Sequence, residues 1–246
     1  MATDSLRGTA GEIWRRHLRW CPACQAEGER VESLARVWAK RDSEDGDGPA
    51  YAALDTPLGA FWAAWDGTAL IGASLGGDEA EFVHAVERAT GTILRWAPEA
   101  IPVLPELAAF WEGADLPPLP FRLQRVTPFR RAVFEAVARI PRGAVASYGD
   151  IADMAGRPGG AQAAGQAIAR NPISLAIPCH RIIRADGTLG EYGPSPCGVV
   201  RKAVMLSLEG VGVEIDGRPC AASHVTATNT HDPPNRYLKS ESPPAP

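Results

Sequence analysis

"SYGDIADMAGRPGGAQAAGQAIARNP", Ser147 to Pro172, is the stretch on which the fold turns. Its first ten residues, Ser147–Gly156, have the spacing of a short helix. "RPGG" follows as a turn, and Ala161–Asn171 reads as a second helix built mostly from small residues. Helix, tight glycine turn and helix make a helix-turn-helix outline. Ala161, Ala163, Ala164, Gly165, Ala167 and Ala169 keep the second helix thin. A thin helix can approach a nucleic-acid groove closely, including the minor groove. It can equally lie close against a protein core. No row of aromatic residues accompanies it, so a single-strand stacking platform is disfavoured.

Downstream, "IPCHRIIRADGTLGEYG" (Ile177–Gly193) places Cys179 between Pro178 and His180. A free thiol titrates near pKa 8.5 and needs help to become a thiolate at neutral pH. In an extended chain His180 would point away from the sulfur, and a bend after Pro178 or a bridging water would be needed to connect them. The histidine would then want a carboxylate, with Glu191 and Glu209 the candidates. Composition alone leaves a second reading, a buried structural cysteine.

Upstream, "TPFRRAVFEAVARIPRG" begins a helix with Thr127 as N-cap and Pro128 in its first turn; Val133, Phe134, Val137 and Ile140 repeat at helical spacing. Residues 51–119 form another unit. Strands break at Pro57-Leu58-Gly59 and at Asp66-Gly67, and "DEAEFVHAVERATG" is a helix closed by Gly91. "DLPPLP" (Asp115–Pro120) is a stiff connector, and 42–50 an acidic, glycine-containing linker. From about 217 to 246 the chain is polar and proline-rich and is expected to be a disordered tail.

The 246 residues suffice for one large or two small cores, and no apolar run is long enough for a membrane span. No signal peptide is apparent, so a cytoplasmic protein is expected. Five cysteines, an odd number and mostly far apart, argue against a disulfide framework. The net charge of −4 conceals an asymmetry: residues 121–210 carry twelve Lys/Arg against six Asp/Glu, leaving +6 there and −10 elsewhere. A basic segment can hold a polyanion; it can also be a surplus of surface arginines.

"SYGDIA", "AGRPGGAQAAGQAIARNP", "IPCHRII", "DGTLGEYG" and "LEGVGVE", in this order and spacing, resemble the C-terminal domain of the O6-alkylguanine-DNA alkyltransferases. "LDTPLGAFWAAWDG" resembles the family's N-terminal sheet domain, so the likeness covers residues 51–213. With residues 1–41, which read as an N-terminal helical hairpin, an α+β chain is expected; the likeness implies a small ribonuclease-H-like sheet domain (51–119) and a helical DNA-binding and active-site domain (121–213) with a winged helix-turn-helix. It implies a single-turnover enzyme that flips O6-alkylguanine out of double-stranded DNA and moves the alkyl group irreversibly to Cys179, with no cofactor. By the same resemblance His180 is a water-bridged base, Glu209 orients it, and Asn171 is the hinge. Tyr148 presses on the 3′ phosphate and contacts the base, and Tyr192 lines the alkyl pocket; Gly193, a further expected substrate contact, follows it where the family often has serine. Gln162, Arg170 and Arg181 are the expected DNA contacts.

Two departures stand out. The family commonly has an arginine in "AARAVG" that fills the stack behind the flipped base; "GAQAAG" has Gln162 there, without the charge and planar fork of arginine. The loop "YGPSPCGVVRK" is about three residues longer than the family pattern and contains Cys197, expected as an exposed bystander or a second thiol.

Residues 1–41 have no place in that pattern. His17, Cys21 and Cys24 follow H-x3-C-x2-C spacing and resemble zinc-binding anti-sigma domains, which implies structural zinc and a protein partner. Two merely reduced thiols is the other reading. The extension and Gln162 motivate an alternative function, an alkylation sensor or regulatory DNA-binding protein.

Overall fold

The computed structural model describes residues 48–193, 197–215 and 225–228. It is a mixed α+β structure in which a four-stranded sheet backs a group of short helices. Strands β1 (Ala50–Thr56), β2 (Gly59–Trp65) and β3 (Leu70–Leu75) form an antiparallel meander, and the short β4 (Arg95–Trp96) adds in parallel to β1, giving the order β3-β2-β1-β4. Both turns fall where the sequence signals them. The Thr56 hydroxyl donates to the Gly59 carbonyl at 2.5 Å. Asp66 Oδ1 accepts from the backbone N–H of Thr68 and of Ala69, each at 2.9 Å, an Asx turn. The first strand starts at Ala50, so the expected linker ends one residue earlier.

Every residue of β2 is buried, because both faces of the sheet are covered. Alternation sends Tyr51, Trp62, Ala64 and Ile71 to one face. There α1 (Glu79–Thr90), capped by Asp78 and closed by left-handed Gly91, brings Phe82 and Val86. Gly72 permits this approach: a Cβ there would lie 2.4 Å from Val86 Cγ2. Phe61, Ala63 and Ala73 go to the other face and join the larger core with α2 (Leu104–Trp111) and the C-terminal helices.

Those helices are α3 (Pro128–Ala138), α4 (Tyr148–Met154), α5 (Ala161–Ile168) and α6 (Gly198–Leu208). Val133, Phe134, Val137 and Ile140 are buried as their spacing requires. Ser147 and Asp150 form a capping box at the start of α4. Helix α5 stops three residues short of Asn171, its end tightening into i→i+3 bonds from the N–H of Arg170 and Asn171. The small residues of α5 serve packing: Ala164 and Ala167 are buried, and Gly165 faces the Tyr148 ring.

Short parallel strands β5 (Ala146–Ser147) and β6 (Ile182–Ile183) flank the Cys179 segment. One described segment falls within the stretch expected to be a disordered tail. Val225–Thr228 form β8, antiparallel to β7 (Gly212–Ile215). Two β-branched threonines and a valine in four residues favour a strand once a partner is available, a local signal outweighed by the polar composition around it. Residues 1–47, hence the segment expected to form a helical hairpin and the expected zinc ligands His17, Cys21 and Cys24, lie outside the described residues. Among described residues no group of His, Cys, Asp and Glu could hold a metal ion, and no helix is long and apolar enough to cross a membrane.

Candidate active site

The segment from Asn171 to Arg181 is pinned at both ends. On one side the Ala73 N–H donates to the Pro172 carbonyl and the Ser174 N–H to the Ala73 carbonyl, each at 2.9 Å, so the segment extends the edge of β3. Asn171 spans its interior. Its Oδ1 accepts from the Ile173 N–H at 3.0 Å, and its Nδ2 donates to the Ile177 carbonyl at 2.8 Å and reaches Cys179 Sγ at 3.1 Å. Between these anchors Leu175 takes φ 70°, a conformation bulky residues avoid, held by the surrounding bonds.

Cys179, His180 and Arg181 form a 3-10 turn after Pro178, the bend that an extended reading lacked. The free Cys179 thiol is 8% exposed and lines a cavity of about 570 Å³. Tyr148, Asn171, Tyr192 and Gly193 line the same cavity. His180 lies fully buried behind it, its Nε2 2.9 Å from Glu209 Oε1. Arg181 differs from its expected place at the DNA. Its Nε and Nη2 bond both Glu209 oxygens at 2.9 and 2.7 Å, and Nη1 donates to the Ile140 carbonyl. With 12% of its side chain exposed, it serves the carboxylate rather than a phosphate.

The electrostatics follow from burial. Desolvation pushes the Cys179 thiol up, while the Asn171 hydrogen bond and the Lys202 charge pull it down without prevailing. Desolvation pushes His180 down against the opposing Glu209. Burial alone would raise Glu209, but His180 and then Arg181 outweigh it and hold the carboxyl at about 2. Glu209 is therefore ionised, so His180 Nε2 carries the hydrogen it shares and Nδ1 is the basic nitrogen. That Nδ1 is buried and meets no protein hydrogen-bond partner among the described residues. The resting pair is a neutral thiol and a neutral imidazole.

Residues 128–211 match the family model for the DNA-binding domain of 6-O-methylguanine DNA methyltransferase. A methylated-DNA–protein-cysteine methyltransferase of Mycobacterium bovis is 34% identical over 163 residues, which are 65% of this chain and 91% of that protein. The chain belongs to this family. The Salmonella typhimurium enzyme of the same name is 49% identical over 84 residues, 34% of this chain and 47% of that one. The crystal structure of Mycobacterium tuberculosis OGT in complex with DNA superposes with a TM-score of 0.54 at 33% identity, covering 65% of this chain and 92% of that one.

Within this family member, Gln162 is exposed on α5 and Arg170 is exposed in the turn that follows it, both outside the cavity lining. Cys197 is corrected: it is buried and disulfide-bonded, not an exposed thiol. Several neighbours of the site escaped the sequence. Ser74 and Leu75, at the end of β3, line the cavity. Lys202 is buried in α6, with Nζ donating to the Leu189 carbonyl at 2.6 Å and to the Ile182 carbonyl. It lies 5.8 Å from the centre of the Tyr148 ring, and burial brings its pKa down to about 8. The adjacent "RK" in α6 carried no spacing signal that would mark one of the two as buried.

Proposed function

We propose that this protein repairs alkylated DNA by moving the alkyl group from O6 of guanine in duplex DNA irreversibly to Sγ of Cys179. The observation that carries the reading is a free cysteine on the wall of a cavity of about 570 Å³, backed by the buried His180–Glu209–Arg181 group. In this reading α4 and α5 are the helix-turn-helix of a winged domain that meets the duplex. The meander with its parallel β4 and covering α1 is the ribonuclease-H-like unit. The units are 51–119 and 121–213, and the protein works in the cytoplasm.

The flipped guanine enters the cavity against Tyr148, while Tyr192 and Gly193 surround the alkyl group. His180 takes the thiol proton at Nδ1, through one water by the family resemblance, and Glu209 stabilises the imidazolium. Sγ attacks the alkyl carbon; the C–O6 bond breaks, and its electron pair goes to guanine, which takes up a proton. Asn171 ties the DNA-facing helix to the active-site turn. Gln162 fills the stack behind the flipped base, and Arg170 contacts a phosphate. The thioether is stable, so each molecule acts once and needs no cofactor. The sensor alternative rests on Gln162 and residues 1–41. The zinc reading of His17, Cys21 and Cys24 rests on spacing, and the metal content of purified protein tests it.

The test is the intact mass after mixing with duplex DNA containing O6-methylguanine. The protein gains one methyl and no more, on the peptide holding Cys179. Cys179→Ala gains none and still binds the duplex. Methylation elsewhere, or continuing turnover, refutes the reading.

A further inference from the structure

Two helices hold the His180 ring. Phe110, near the C-terminal end of α2, packs against it with ring centres 6.2 Å apart. Glu209, the residue that caps the C-terminal end of α6, bonds its Nε2. These helices are far apart in sequence and belong to different parts of the fold. Where they end, one side chain joins them. Arg142 donates from Nη1 to the Ala114 carbonyl at 2.8 Å and from Nη2 to the Gly113 carbonyl at 3.0 Å, both just beyond α2. The same Nη2 donates to the carbonyl of Leu208, the last residue of α6, at 2.7 Å. Its Nε pairs with Asp115 at 2.9 Å. The guanidinium thus satisfies carbonyls at two helix C-termini, where a positive charge is also favoured. The turn that carries Arg142 presses on Glu209 a second time. The Ile140 carbonyl accepts from Arg181, which grips the carboxylate, and a Cβ at Gly143 would lie 3.5 Å from the Glu209 carbonyl.

We propose that Arg142 is a positioning residue for His180, clamping the ends of α2 and α6 so that Phe110 and Glu209 hold the imidazole in one orientation. The proposal rests on the alkyl-transfer reading for its kinetic consequence, and on geometry alone for its structural one. Lysine could reach some of these carbonyls, but one ammonium lacks the planar fork that serves three carbonyls and Asp115 together.

The experiment compares full-length wild type, Arg142→Gln and Arg142→Lys. One readout is the single-turnover rate with a duplex carrying O6-methylguanine. The other is hydrogen exchange of the His180 Nε2–H by NMR, without DNA. Backbone amides of Val133 and Phe134 in α3 report global opening. Arg142→Gln should transfer about ten-fold more slowly, as expected for a mispositioned catalytic group. Its Nε2–H should exchange faster while the α3 amides keep their protection, and Arg142→Lys should recover part of both. Unchanged rate and unchanged Nε2–H exchange overturn the clamp. Faster exchange of the α3 amides in step with Nε2–H also overturns it, by showing a general loss of stability. A wild type that transfers no methyl defeats the functional reading instead, and the exchange comparison still judges the clamp.

Discussion

Replacing Glu209 by Gln removes one charge from a site where its value can be worked out. Glu209 is 5% exposed, and its carboxyl is held at about 2, against an ordinary value of 4.5. A depressed carboxylate pKa means that the folded state releases the proton more readily than the unfolded chain. The associated stability is therefore complete above about pH 4.5 and is lost as the pH falls through about 2. At about 1.4 kcal/mol per unit, the difference corresponds to about 3 kcal/mol at pH 7 and about 1.5 kcal/mol at pH 3. This agrees with the cost of about 3–5 kcal/mol for removing one partner of a buried ion pair, here leaving Arg181 without its counter-charge. Urea unfolding of wild type and Glu209→Gln between pH 7 and pH 3 checks it. The two curves should differ by about 3 kcal/mol at neutral pH and converge as acid is added. His180, with a folded pKa below its ordinary 6.5, adds its own acid sensitivity. That loss begins as the pH falls below about 6.5, before Glu209 begins to protonate. A gap that stays constant from pH 7 to pH 3, or no gap at all, would refute the account of Glu209 as the ionised anchor of the site.

Two further predictions concern Lys202 and Gln162. Lys202→Met leaves the Ile182 and Leu189 carbonyls without their donor and removes a positive charge that favours the Cys179 thiolate. It should cost about 1–3 kcal/mol in stability by chemical unfolding, and the rise of the transfer rate with pH should move to higher pH in single-turnover assays. Gln162→Arg adds a cation on the exposed face of α5. It should tighten duplex binding and steepen the dependence of log Kd on log salt by about one unit, as one added phosphate contact does, measured by fluorescence anisotropy. An unchanged salt slope would place Gln162 away from the duplex.

Local chemistry was legible in the sequence and distant partners were not. The Asp66-Gly67 turn, the Gly91 cap and the Val133–Ile140 stripe each depend on neighbours within a few residues, and the structure has them. Cys179 stood out because Pro178 and His180 adjoin it, and the family pattern drew in Glu209. Composition could not foretell that Arg181 would turn inward. Its partners, Ile140 and Glu209, lie 41 and 28 residues away. Ser74 and Leu75 reach the cavity only because β3 pairs with the Pro172–Ser174 backbone, and main-chain pairing leaves little trace in side-chain identity. Strand β8 was hidden for a related reason: its register is set by β7, while its own surroundings are polar.

A cysteine whose pKa burial has raised is an unusual nucleophile, and single use gives that burial a purpose. A cysteine destroyed by its first reaction gains nothing from being a thiolate at rest, where any soluble electrophile could consume it. In this site the neutral thiol and neutral imidazole are the resting pair, and every group that would favour the ionised one is already fixed. Glu209 is ionised and held by Arg181, Asn171 reaches the sulfur, and Lys202 stands nearby with its charge. Such preorganised dipoles and charges stabilise charge as it develops without having to move. A flipped base filling the cavity would exclude water and strengthen each of these interactions. Under the proposed mechanism, a requirement for a flipped nucleotide would protect the cysteine as well as select the substrate, in keeping with a thiol that shares a cavity wall with Tyr148 and Tyr192 rather than lying on the surface.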